Sequence, residues 1–200
     1  MLVARYEHQG GDARILDAAV AAALAPGVGP AAAAERSAHV IGIAPSDVMR
    51  AMAQRRCTPL IARDRVRLAA GTAARTGRPD TCVDVVIAVN NLQLWPGIPA
   101  ALAGFHRVLR PGGRFLLSTH ERWLPTDLTT LATTVEAAGF TSVRTGTWQP
   151  PTRSTPTAAL LSAVRGQASV EADRLRTGTG RPRNSPLAPC IGMDLTAREG

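Results

Sequence analysis

Two asparagines, Asn90 and Asn91, close the most apolar run of the chain, Val83–Val89, and a His120–Glu121 pair follows the next one, Arg114–Ser118. Amide side chains at the exit of a buried strand offer both donors and acceptors to a ligand; they serve equally to cap a turn. His120 and Glu121 stand where an imidazole could act as general base for an acidic nucleophile, and the plainer reading is a pair of exposed loop residues. Trp95 could line a substrate mouth, although Pro96 beside it also fits a packing role. His106 falls inside an apolar helical segment and reads as structural. There is no Ser/His/Asp order, no His/Cys/Asp/Glu spacing suited to a metal ion and no GxxxxGK[ST] phosphate loop.

All 23 basic residues are arginine, against 15 acids, for a net charge of +8. With the load of Ala, Gly and Pro this reads as GC-rich coding, so the basic balance is partly compositional. Its location is more informative. Eight arginines (50, 55, 56, 63, 65, 67, 75 and 78) face one acid, Asp64, across Arg50–Arg78. Such a cluster could meet phosphates. Without interleaved aromatic residues to stack bases it reads rather as a solvated helix face and its loop, and nucleic acid is not the favoured partner. Cys57, Cys82 and Cys190 have no CxxC or Cys/His spacing and read as reduced thiols of a cytoplasmic protein. No stretch approaches 18 apolar residues, so no membrane partner is expected.

These residues need elements to position them. Val83–Val89 is apolar almost throughout, the signature of a strand buried on both faces. A helix from Pro99 to Arg110 follows, then Pro111-Gly112-Gly113 as a turn and Arg114–Ser118 as a strand, which together make a βαβ unit. His39–Ile43 and Arg65–Leu68 read as further strands, with Ser46 as N-cap of a helix to about Arg56. Ile15–Ala25 reads equally as a short strand or the start of a helix, ended by Pro26–Pro30, and Ala31–Ser37 is helical by propensity. Leu128–Ala138 is a helix stopped by Gly139, and Ser142–Trp148 and Ala158–Arg165 are two last strands around the Pro-rich loop Gln149–Pro156. The expected fold is therefore α/β, with residues 1–13 a flexible N-terminus, 14–165 one domain and 166–200 a disordered tail poor in apolar residues.

Over residues 14–165 the order of these pieces resembles the class I S-adenosylmethionine-dependent methyltransferases. The resemblance is carried by His39-Val-Ile-Gly-Ile-Ala-Pro-Ser-Asp-Val-Met49, Arg65-Val-Arg-Leu-Ala-Ala-Gly-Thr-Ala73, Asp84 to Trp95, and Arg107-Val-Leu-Arg-Pro-Gly-Gly113. It implies a three-layer Rossmann-like sandwich around a seven-stranded, mostly parallel sheet with an antiparallel C-terminal strand pair. It also implies S-adenosylmethionine as cofactor and a small-molecule methyl acceptor as partner. Cofactor-binding positions would fall on Ala23, Ala25 and Gly27 in the first turn, Ala44 at the ribose and Met49 against the adenine. Thr72 and Ala73 would stand at the adenine amino group, and Asn90 and Asn91 at the amino-acid end or the substrate. Trp95 and His120 would be substrate-binding. Gly27, Ala44, Thr72 and Asn90 are expected to converge on one crevice.

The cofactor motifs are degenerate. The family's acid and first two glycines fall on Ala21, Ala23 and Ala25, its ribose acid falls on Ala44, and Thr72-Ala73 stand where the adenine is read by an Asp. A carboxylate lost from two ribose hydroxyls would cost about 1.5–3 kcal/mol per hydrogen bond. The alternative is therefore a non-catalytic relative that has lost the cofactor and serves as an interaction module. A nicotinamide-binding domain needs the same glycines and acid and is disfavoured by the antiparallel terminal pair.

Overall fold

The computed structural model describes residues 2–5, 33–34, 39–149 and 157–166. The strands are β1 (Leu2–Arg5), β2 (His39–Ile43), β3 (Val66–Ala69), β4 (Val83–Val89), β5 (Leu109–His120), β6 (Phe140–Trp148) and β7 (Ala158–Arg165). Among the described residues, three longer helices accompany them: α1 (Asp47–Ala62), α2 (Ile98–Val108) and α3 (Leu128–Ala137). Short 3-10 turns follow β4 (Leu92–Leu94) and β5 (Glu121–Trp123). The segments 15–25 and 26–30, most of 31–37, the loop 150–156 and the tail 167–200 lie outside the described residues; Ala33 and Ala34 are helical.

The strands lie side by side in the order β3-β2-β1-β4-β5-β7-β6. Pairing is parallel for β2 with β3 and for β4 with β5, and β7 runs antiparallel between β5 and β6. Two expectations are corrected at the chain's start. Leu2–Arg5, read as part of a flexible terminus, forms a strand, and that strand is antiparallel to both β2 and β4. Among the described residues only two of the ladders are therefore parallel, and the sheet is mixed. The apolar pattern reports burial but not direction, because parallel and antiparallel neighbours both satisfy the backbone.

Burial on both sheet faces follows the alternation of side chains along each strand. On one side Val86, Ala88, Phe115 and Leu117 meet Leu102, Phe105 and Val108 of α2 and Leu131 and Val135 of α3. The chain's three phenylalanines form a continuous line there, with Phe105–Phe115 and Phe115–Phe140 centroids 5.2 and 5.7 Å apart. On the other side Val85, Ile87 and Leu116 meet Val40, Val66 and Cys57 of α1. With so few aromatics, placing all three phenylalanines on one face lets one α2–α3 layer bury most of the large surface.

Helix α1 runs six residues past the expected end, through Pro59. The Thr58 hydroxyl donates to Gln54 O at 2.9 Å and Arg55 O at 3.3 Å, so the carbonyl that Pro59 cannot serve has a local donor. Arg110, expected to end the helix, and Pro111-Gly112-Gly113, expected as a turn before a strand, together form a bulge within β5. Val83 faces Leu109 and Val85 faces Arg114, so four residues of β5 stand against Asp84. Gly112 takes φ +77°, and a Cβ on Gly113 would lie 2.8 Å from Arg110 O and 3.0 Å from Asp84 O. Arg110 Nη1 closes the bulge on Asp84 Oδ1 at 2.6 Å.

Candidate functional site

Because β2 and β4 both oppose β1, they point the same way, and their parallel partners β3 and β5 point with them. Ala44, Thr72, Asn90 and His120 therefore stand at the same edge of the sheet, beyond or at the ends of β2, β3, β4 and β5. Open α/β sheets bind ligands beyond such strand ends. Three of the four residues expected to converge are brought to this rim; Gly27, with Ala21, Ala23 and Ala25, lies outside the described residues.

The β2 exit is built by α1. Ser46 caps the helix, accepting from the Met49 amide at 3.3 Å, and Met49 leaves its side chain 44% exposed beside the strand end. Arg50 turns back over this exit: its Nη1 donates to Ala44 O at 2.6 Å and to Pro45 O at 2.9 Å, and its Nη2 pairs with the Asp47 carboxylate. The Ala44 amide donates to Ala69 O at 3.2 Å and ties this exit to β3. The Asp47–Arg50 pair was missed in the sequence, where Arg50 reads as one of a charged run. Their spacing of three on a helix is the signal that would have found it.

At the β3 exit the two adenine candidates separate. Thr72 is half-buried, its amide donating to Arg75 O and its hydroxyl accepting from the Arg75 amide, so it holds a turn. Ala73 is buried in the main core, packed with the α2 layer rather than facing the rim, because Gly104 of α2 approaches its carbonyl.

Asn90 closes the gap between β4 and β5. It adopts φ +47°, a conformation asparagine tolerates better than most side chains. Its amide donates to Ser118 O at 2.8 Å, and its Oδ1 accepts from the His120 amide at 3.2 Å. His120 is 7% exposed, not a loop residue: it ends β5, with its ring 4.5 Å from that of Trp123. Trp95 packs edge-on against Phe105 at 5.2 Å, partly buried against the core, which favours packing over a substrate mouth.

Buried polar atoms without a hydrogen-bond partner concentrate here. Asn91 Oδ1, Thr119 Oγ1 and His120 Nδ1, all at the β4 and β5 exits, account for three of the four found among the described residues. Such atoms cost free energy unless something answers them. Thr119 carried no signal in the sequence, where it simply follows the expected strand Arg114–Ser118.

The arginine run is divided by the fold. Arg50 pairs with Asp47 and Arg67 with Asp64, while Arg55, Arg56, Arg63 and Arg75 are exposed. Among the described residues no group of His, Cys, Asp or Glu could hold a metal ion, and no helix is long and apolar enough to cross a membrane.

Comparison with known proteins places this geometry. A family described as a methyltransferase domain matches residues 22–117. No curated protein matches the chain. Among solved structures, the YcgJ protein of Bacillus subtilis is 15% identical with a TM-score of 0.57, covering 73% of this chain and 90% of its own. The [4+2]-cyclase SpnF is 17% identical, TM-score 0.61, over 83% and 87%. A possible histamine N-methyltransferase of Thermotoga maritima, a SAM-dependent methyltransferase, is 18% identical, TM-score 0.56, over 76% and 88%. At these identities the likeness is one of fold.

Proposed function

We propose that this chain, which a methyltransferase-domain family matches over residues 22–117, is a class I S-adenosylmethionine-dependent methyltransferase and transfers a methyl group to a small-molecule acceptor. The observation that carries this reading is the rim itself. Four parallel strand ends meet there, with Met49 exposed and three buried polar atoms of Asn91, Thr119 and His120 left without an intramolecular partner. That donor and acceptor set fits a ligand with an apolar ring at the β2 end and polar groups at the β4 and β5 ends.

S-adenosylmethionine supplies, when bound, a methyl group on a sulfonium that a nucleophile displaces in line. The chain's part is to hold that nucleophile at attack distance and to exclude water. Asn90 fixes the backbone of His120, His120 would accept the acceptor's proton through its unpartnered ring nitrogen, and Asn91 and Thr119 would answer the ligand's polar end. The reading takes the sheet as the family's seven-stranded platform, with the missing first-turn glycines costing affinity rather than identity. A cytoplasmic setting is part of the reading, with Cys57 and Cys82 buried inside the fold.

Calorimetry with S-adenosylhomocysteine tests it. Measurable heat with a raised melting temperature is expected; neither effect at millimolar ligand would remove the enzyme reading. A second reading, a non-catalytic relative acting as an interaction module, is favoured by one observation. The Ala44 and Pro45 carbonyls, the Thr72 hydroxyl and the Asn90 amide group are all engaged within the chain.

A further inference from the structure

Ala44 ends β2, where an open α/β sheet that binds a nucleoside presents an acid to the ribose hydroxyls. A methyl side chain accepts nothing, and the two backbone carbonyls at the same exit are already taken by Arg50. The carboxylate nearest in the chain is Asp47. Its carboxylate is 91% exposed, and only its Oδ1 is engaged by Arg50.

An exposed pair of this spacing on a helix is ordinarily worth little and points where it will. This one is anchored. The Arg50 side chain is 22% exposed and its guanidinium is clamped by Ala44 O and Pro45 O, so its orientation is set by the backbone of the β2 exit. The guanidinium in turn fixes one carboxylate oxygen of Asp47 and leaves the other toward solvent at the rim. The two residues that follow, Val48 and Met49, expose apolar surface of the kind a purine face covers. A fixed carboxylate beside an uncovered apolar surface suits a nucleoside with a free cis-diol, and it disfavours one carrying a 2′-phosphate.

We propose that Asp47, held by Arg50, accepts the ribose hydroxyls of an adenosine-type ligand in place of the acid absent at Ala44. The proposal rests on the reading of the rim as a cofactor site and adds the residue that would make that site workable.

The test is calorimetry with S-adenosylhomocysteine and its 2′-deoxy analogue on the wild type, Asp47→Asn and the double variant Asp47→Asn/Ala44→Asp, with melting curves as a check on folding. Asp47→Asn is expected to weaken S-adenosylhomocysteine binding about tenfold or more, to affect the 2′-deoxy analogue less, and to melt as the wild type does. Adding Ala44→Asp is expected to recover most of the loss. If the wild type binds and Asp47→Asn binds within twofold of it, or loses both ligands equally, the proposal falls while the methyltransferase reading stands. If the wild type binds neither ligand, both fall.

Discussion

The side chain of Asn90 is a strut between strands: its Oδ1 accepts from the backbone N–H of His120 at 3.2 Å, joining the ends of β4 and β5. The same residue holds a left-handed backbone at φ +47° and donates its own amide to Ser118 O. Asn90→Ala should therefore cost about 2–3 kcal/mol, from an unfavourable conformation and a lost hydrogen bond together. Asn90→Gly keeps the backbone allowed and should cost about half as much. Urea unfolding of the two variants decides it, and equal losses would mean the conformation does not matter.

Gly104 is where α2 touches the loop after β3. A Cβ there would lie 2.6 Å from Ala73 O and 2.9 Å from Ala74 O, both backbone atoms that cannot swing aside. Alanine gains about 1 kcal/mol in helix propensity, but forcing the helix off the loop costs about 1–3 kcal/mol. Gly104→Ala is expected to lower the unfolding midpoint; a raised midpoint would show that the loop yields freely.

Ser46 supplies a cap rather than chemistry. Replacing it with alanine leaves the Met49 amide without its side-chain acceptor and should cost about 1 kcal/mol. Denaturant titration measures this directly, and no change would assign the amide's satisfaction to solvent.

His106 on α2 packs edge-on against Phe140 at 5.4 Å. Burial, then the nearby Arg165 charge, holds its imidazole below the usual histidine range. The neutral form is thus favoured in the folded state. The resulting stabilisation is complete above the ordinary histidine value near 6.5 and is lost as pH falls through the lower folded value. Stability measured from pH 7.5 down to 5 should decline, and His106→Gln should flatten that decline. An unchanged slope in the variant would assign it to other groups.

Cys57 is fully buried, and desolvation pushes its thiol up from the ordinary range. Alkylation of Cys57, followed by peptide mass mapping, should be negligible in the native protein and rapid in urea. Native-state labelling at that peptide would show α1 opening from the sheet.

The sequence by itself determined the local elements. The nearly continuous apolar run at Val83–Val89, the cap at Ser46, the stop at Gly139 and the strand Ala158–Arg165 all lie where periodicity and turn chemistry put them, because burial and allowed φ are written residue by residue. Tertiary structure alone decided the rest. It set the antiparallel direction of β1, the bulge that Arg110 closes on Asp84, and the inward turn of Ala73 and Trp95. It also brought Arg50 back onto the Ala44 carbonyl and buried His120 at the end of β5. Each of these depends on which partner a group meets across long stretches of chain, and a one-dimensional pattern of polarity does not name partners.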